Sequence, residues 1–271
     1  MSSTIRVFPH RNKWTPIDDL VFIGDPPLIL PPEMPVRVSC TFTWDKEEAL
    51  RLQRSWSRFY QDVQVGGPAF NDAGDEFEPG LFIKEGVVIT SRGCNDSCPW
   101  CFVPSREGKL RELKVKQGWI IQDNNLLQCS QEHIWKVITM LIAENKPAKF
   151  SGGLDTKLFS KWFAEWLDLI KVDELWFSCD TDEALGGLKR VKTLLKHYPI
   201  DKLRCYVLCG FDGQKITQAE KRLLKVYDLG FLPFAQLYRP IDSIKRFDRE
   251  WHYLIRKWSR PAAYKTKRLR S

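Results

Sequence analysis

Histidine is scarce in this chain. Its four histidines (His10, His133, His197 and His252) include no pair at the spacing of metal ligands, so a histidine-bound metal is not expected. Long apolar runs are missing too. No stretch reaches the length that crosses a bilayer, and Met1-Ser2-Ser3-Thr4-Ile5-Arg6 has no apolar core of signal-peptide type. These absences predict a soluble, cytoplasmic protein with no membrane partner. A full glycine fingerprint for phosphates is also lacking, and Gly66-Gly67-Pro68 comes nearest to one. Eight cysteines in 271 residues are too few for a disulfide scaffold. In a reducing compartment a tight group of them reads instead as metal-binding or catalytic.

The positive charge is confined to one end. Ten of the 42 Lys and Arg but only two of the 34 Asp and Glu fall in 245–271, so the rest of the chain carries 32 of each sign. The basic tail interleaves its charges with Trp251, Tyr253, Trp258 and Tyr264. That mixture suits phosphates and stacked bases, so a nucleic-acid partner is one reading; a solvated end that aids solubility is the other.

The order of patterns predicts three regions. Residues 1–80 comprise a proline-broken, irregular lead-in to about residue 35 and then a small β-α-β lobe. The lobe has a strand over 36–44, a helix capped by Asp45 with Ala49, Leu52, Trp56 and Phe59 on one face, and a strand over 62–65. The acidic stretch 71–80 reads as a linker. Residues 81–243 alternate strand and helix six times, with strands near 86–90, 118–122, 148–151, 174–178, 203–208 and 231–237. Such alternation implies a parallel sheet, and six steps fit a partial (β/α)6 TIM-like barrel. Residues 244–271 form the tail, helical from about Ile244 to Trp258.

Polar residues recur where the strands end: Asp123-Asn124-Asn125, Gly152-Gly153-Leu154-Asp155, Asp180 and Asp212. In parallel α/β folds that edge carries the site, although the same residue types also cap the next helix. Cys94, Cys98 and Cys101 follow the first of these strands, spaced Cys-x3-Cys-x2-Cys. One short loop with three thiolates can hold three irons of a cubane and leave the fourth open, so we read an iron–sulfur site. A structural zinc with Cys129 as fourth ligand is the alternative. Cys205 and Cys209, four apart on a strand, share a face. With Cys179 they are either a second metal site or, the favoured reading, small core residues. Cys40 reads as structural.

The segment Cys94-x3-Cys98-Pro99-Trp100-Cys101, with an aromatic before its last cysteine, resembles the signature of radical S-adenosylmethionine (SAM) enzymes. The resemblance covers about residues 81–240. It implies a 4Fe–4S cluster on Cys94, Cys98 and Cys101, with SAM bound to the unique iron and cleaved to a 5′-deoxyadenosyl radical that takes hydrogen from a substrate. It implies a flavodoxin- or ferredoxin-like electron donor as well. The SAM contacts expected from it are Trp100, Asp123, Asn124, Asn125, Gly152, Gly153 and Asp180. Asp123-Asn124-Asn125 stands where the superfamily carries Gly-Gly-Glu. The stretch 102–111 looks like methylthiotransferases, but the cysteine-rich domain those enzymes carry ahead of the barrel has no counterpart here. The lobe at 36–68 looks like a shortened cobalamin-binding lobe without the histidine loop, so cobalamin is not expected. The alternative function is a non-catalytic nucleic-acid-binding protein with a structural zinc or iron–sulfur site.

Overall fold

The computed structural model describes residues 4–72, 77–240 and 247–268, with side chains as far as Tyr264 in the last helix. It divides into two compact units, 1–88 with 116–118 and 89–115 with 119–271. The tail therefore belongs with the second unit.

The first unit is a four-stranded parallel sheet. Its strands are β1 (Ile5–Phe8), β2 (Val21–Ile23), β3 (Val36–Ser39) and β4 (Val63–Gly66), in the order β2-β1-β3-β4. Helix α1 (Lys46–Trp56) joins β3 to β4, as the apolar spacing predicts, with Ala49, Leu52 and Trp56 fully buried against Ile5, Val7, Val36 and Val38. Two details differ from expectation. The Asp45 side chain makes no cap to the helix and stands 3.6 Å from His10 Nε2. Phe59 lies past the last turn and is 54% exposed.

The larger difference is in the lead-in, where two short strands, β1 and β2, interrupt the expected irregular chain. β1 is an inner strand, buried at all four positions. Arg6 hides this strand from a sequence reading because it interrupts the apolar run. Its guanidinium is neutralised by Asp18 at 2.5 Å and donates to the Leu81 carbonyl at 3.0 Å, which lets the strand bury a charge. The prolines that argue against regular structure fall between β2 and β3, where the chain turns.

Trp56 ties this unit together. Its indole N–H donates to Gly24 O at 3.0 Å, and its ring meets Phe22 at 5.3 Å and Tyr60 at 5.6 Å. Trp56→Ala removes that volume from a fully buried site and is expected to cost about 4 kcal/mol. Hydrogen exchange checks this: amides of 36–66 should lose protection while those of 203–209 keep theirs.

Strand β5 (Val87–Val88) ends the main part of the first unit. In the second, β6 (Ser91–Arg92), helix α2 (Val103–Glu107) and β7 (Arg111–Glu112) frame the cysteine loop. Five parallel strands follow, hydrogen-bonded in chain order: β8 (Ile120–Ile121), β9 (Ala148–Leu154), β10 (Val172–Ser178), β11 (Leu203–Cys209) and β12 (Leu232–Leu237). Between them run α3 (Gln131–Glu144), α4 (Lys161–Leu167), α5 (Ala184–Leu194) and α6 (Ile216–Asp228). Ser130 and Ser160 cap α3 and α4 by accepting from the amides of His133 and Phe163. Edge-to-face rings lock helices to sheet, Phe150 on Phe163 and Phe159 on Phe177. The fold is thus mixed α/β with parallel sheets and eight α-helices among the described residues. β9 runs on to Leu154, so Gly152 and Gly153 lie within a strand rather than after it.

The last two helices are α7 (Arg249–Trp258), capped by Asp248, and α8 (Pro261–Arg268). Trp251, Trp258 and Tyr264 are buried, so three of the four aromatics expected to stack on bases are core residues; Tyr253 alone is open, at 64%. The expected helix start at Ile244, the charges Lys245, Arg246 and Arg270 and part of the expected linker lie outside the described residues.

Candidate metal centre and the cavity beside it

The cysteine loop is closed at its base by backbone pairing. β6 and β7 run antiparallel, Ser91 opposite Glu112 and Arg92 opposite Arg111, and Leu113 N–H donates to Thr90 O at 2.8 Å. Gly93 makes the first bend with φ +82°, and a Cβ there would overlap the Lys109 carbonyl. Above the base, Arg92 and Glu107 approach to 3.7 Å with both side chains nearly buried.

Inside the loop, Cys101 N–H donates to Cys98 O at 2.9 Å and Cys94 N–H to Gly108 O at 3.1 Å. The loop is held from outside by the segment that follows β8. Asn124 Oδ1 accepts from Gly93 N–H at 3.0 Å, and Gln128 Oε1 accepts from Asn95 N–H at 2.8 Å while its amide donates to Asp96 at 3.0 Å. Asp123 is 1% exposed and accepts from Thr90 N–H (2.6 Å), Thr90 Oγ (2.5 Å) and Ser91 Oγ (2.8 Å). It therefore fixes the two residues from which the loop springs.

All three cysteines are half-buried. Burial pushes the Cys98 thiol up, and Asp96, Cys101, Cys94 and Asp180 push it further. Cys101 is raised in the same way by burial, with Cys94 and Asp180 adding and a Val103 backbone hydrogen bond opposing. Asp96 and Asp180 thus set negative charge beside Cys98 and Cys101, where a bound metal would supply the positive charge that favours thiolates. Among the described residues no three His, Cys, Asp or Glu side chains are grouped as ligands of one ion. Cys129, the candidate fourth ligand for zinc, is buried, hydrogen-bonded to Ser91 and pushed up to about 12.

Beside the loop lies a cavity of about 650 Å³, lined by Trp100, Asp180, Phe211, Asp212, Lys221 and Arg222 among others. Trp100 donates its indole N–H to the Asp180 carboxylate, which also accepts from Leu208 N–H at 3.1 Å. Burial pushes Asp180 up. Arg222 is fixed by Asp182 at 2.8 Å and the Asp180 carbonyl at 2.6 Å. Phe211 meets Trp100 edge-on at 5.5 Å.

The seven residues expected to contact SAM therefore separate. Trp100 and Asp180 line the cavity. Asp123 and Asn124 hold the cysteine loop. Gly152 passes so close to Asp123 that a Cβ would overlap its carbonyl, whereas Gly153, φ +115°, has open space around it. Asn125 is buried with Oδ1 unpartnered.

The other cysteines are core thiols. Cys179, Cys205 and Cys209 have no exposure and donate to the carbonyls of Thr181, Tyr206 and Val207. Burial pushes Cys179 and Cys209 up to about 12 and Cys205 well above its ordinary value. Sequence reading missed Gln128, Phe211 and Arg222. Gln128 has a faint signal, as the first polar side chain after the Asp123-Asn124-Asn125 turn; Arg222 has none, because a mid-helix arginine reads as solvated. In comparisons with known proteins, no family model matches the chain and no curated protein matches it.

Proposed function

We propose that this protein is a radical SAM enzyme on a partial (β/α)6 barrel, with a 4Fe–4S cluster on Cys94, Cys98 and Cys101. The observation that carries this reading is a pinned loop with three half-buried thiols in an acidic setting, directly beside a 650 Å³ cavity walled by Trp100 and Asp180. When bound, the cluster would supply the electron that cleaves SAM to a 5′-deoxyadenosyl radical, which then takes hydrogen from the substrate. The chain's own residues bind and orient. Trp100 and Phe211 provide aromatic walls for the adenosyl group. Asp180 and Asp212 offer carboxylate oxygens to hydroxyl or ammonium groups, and Asp123, Asn124 and Gln128 hold the loop at fixed geometry. A flavodoxin- or ferredoxin-like donor and a cytoplasmic location belong to the same reading.

Anaerobic reconstitution tests it. The expected product is a brown protein with about four irons per chain that forms 5′-deoxyadenosine from SAM under dithionite. Cys98→Ala should lose both the visible absorbance and the cleavage. Zinc uptake without SAM cleavage would overturn the proposal, as would a Cys98→Ala protein that keeps its iron.

A further inference from the structure

The second unit's sheet has two unlike faces. Phe150 and Phe177 pack on α4 and the segment before it. Side chains of the other parity point away. In β11, Leu203, Cys205, Val207 and Cys209 are fully buried, while Arg204, Tyr206 and Leu208 between them are half-buried. On this second face Trp176, Tyr206 and Phe234, from three adjacent strands, form one aromatic floor. Trp176 and Tyr206 stack at 4.3 Å, and Phe234 meets them edge-on at 5.7 and 5.9 Å.

The ends of the floor differ. At the amino ends of the strands Glu174 pairs with Arg204 at 3.2 Å and Lys149 with Asp173 at 3.0 Å, while the Arg204 guanidinium lies 5.9 Å over the Trp176 ring with its Nε buried and unpartnered. Toward the carboxyl ends neutral polar side chains precede the Asp180 carboxylate. Ser178 and Gln236 are exposed, and Ser151 Oγ is buried without a partner in a residue only 9% exposed. Gly153 leaves open space beside them. Leu208, two residues beyond Tyr206 on the same strand face, lines the cavity that holds Trp100 and Asp180. Floor and cavity therefore meet.

We infer that this aromatic floor binds the substrate of the proposed radical chemistry, and that the substrate presents a nucleobase. The inference rests on the reading above and names the substrate class. Stacked rings accept a flat ring on a π-face. The Ser178 hydroxyl and the Gln236 amide, on the two strands that flank β11, match the mixed donors and acceptors of a base. A sugar alone would leave the rings unused.

The test is equilibrium dialysis of the reconstituted full chain, saturated with SAM, against uridine, cytidine, guanosine and thymidine. At least one should bind saturably. Gln236→Leu, at an exposed position that does not threaten folding, should weaken that binding about tenfold; Ser178→Ala, also at an exposed position, should weaken it in the same direction. No binding by any of the four would overturn the inference, as would equal binding of N-acetyl-tryptophanamide or unchanged affinity in Gln236→Leu. The same dialysis on Cys98→Ala protein separates the two proposals. Nucleoside binding with no SAM cleavage in the wild type sinks only the radical reading. Cleavage with no nucleoside binding sinks only the substrate class.

Discussion

Asp123→Asn protein is expected to lose about 3 kcal/mol of stability in the second unit and, if the proposed cluster is held as argued, to take up less iron on reconstitution. Three donors converge on the Asp123 carboxylate from Thr90 and Ser91. Asparagine keeps one acceptor oxygen and turns an amide toward the rest, leaving at least one buried donor facing another. Thr90 and Ser91 lead into the cysteine loop, so the error passes to Cys94. The effect should depend on pH with a definite sign. Burial pushes the Asp123 carboxyl above its ordinary 3.8, while the Thr90 and Ser91 hydrogen bonds pull it back. The native state therefore binds this proton more tightly than the unfolded chain. Its contribution is complete below the ordinary value and is lost as pH rises through the native one. The gap between wild type and Asp123→Asn in urea denaturation should be wider near pH ~4 than near pH ~8. A gap that widens as pH rises, or iron content equal to wild type, would refute this account.

Gly152→Ala is expected to be the more damaging of two neighbouring substitutions. Its Cβ would overlap the Asp123 carbonyl oxygen and come within 2.7 Å of the carbonyl carbon and 2.8 Å of the nitrogen. All of these are backbone atoms, so no side chain can rotate away and β9 must part from the end of β8. The cost should be at least ~3 kcal/mol. Gly153→Ala meets nothing and bears only its φ of +115°, about 1–2 kcal/mol. Thermal unfolding of the two variants side by side gives the comparison. Equal losses would mean that the crowding at Gly152 is relieved elsewhere.

Legibility from sequence tracked the strength of local patterns. Helices α1, α3 and α6 follow apolar spacing closely, and the alternation of strand and helix from β8 onward is read at nearly the right positions. The strand at Ile5–Phe8 was not legible, because Arg6 is satisfied by partners 12 and 75 residues away. The site divides in the same way. Cysteine spacing is a local property and marks the loop at once. The roles of the polar residues after β8 and within β9 depend on which strand lies beside which. Asp123 read alone is a strand-end carboxylate; beside Thr90 it is a buried anchor. Gly152-Gly153 read alone is a cofactor turn; within β9 it is one close approach and one open position. The tail divides for a related reason: basic and aromatic residues alternate along 249–264, but α-helical turns send Trp251, Leu254 and Trp258 inward and leave Arg249 and Arg256 exposed.

That helical tail has a further effect on the sheet's last strand. Among the described residues β12 pairs only with β11 and would otherwise present an open ladder of carbonyl and amide groups. Ser259 Oγ donates to Ala235 O at 3.2 Å, and Tyr264 Oη donates to Pro233 O at 3.1 Å, while Pro233 itself carries no amide hydrogen. The tail thus blunts an edge that could template strand addition from another chain. Removing residues 249–268 would strip this guard along with the positive charge. The truncated protein would tend toward edge-to-edge aggregation, so weakened nucleic-acid binding in it would report self-association as readily as lost contacts. Replacing exposed charges such as Arg249 singly leaves the strand covered and isolates the contribution of charge.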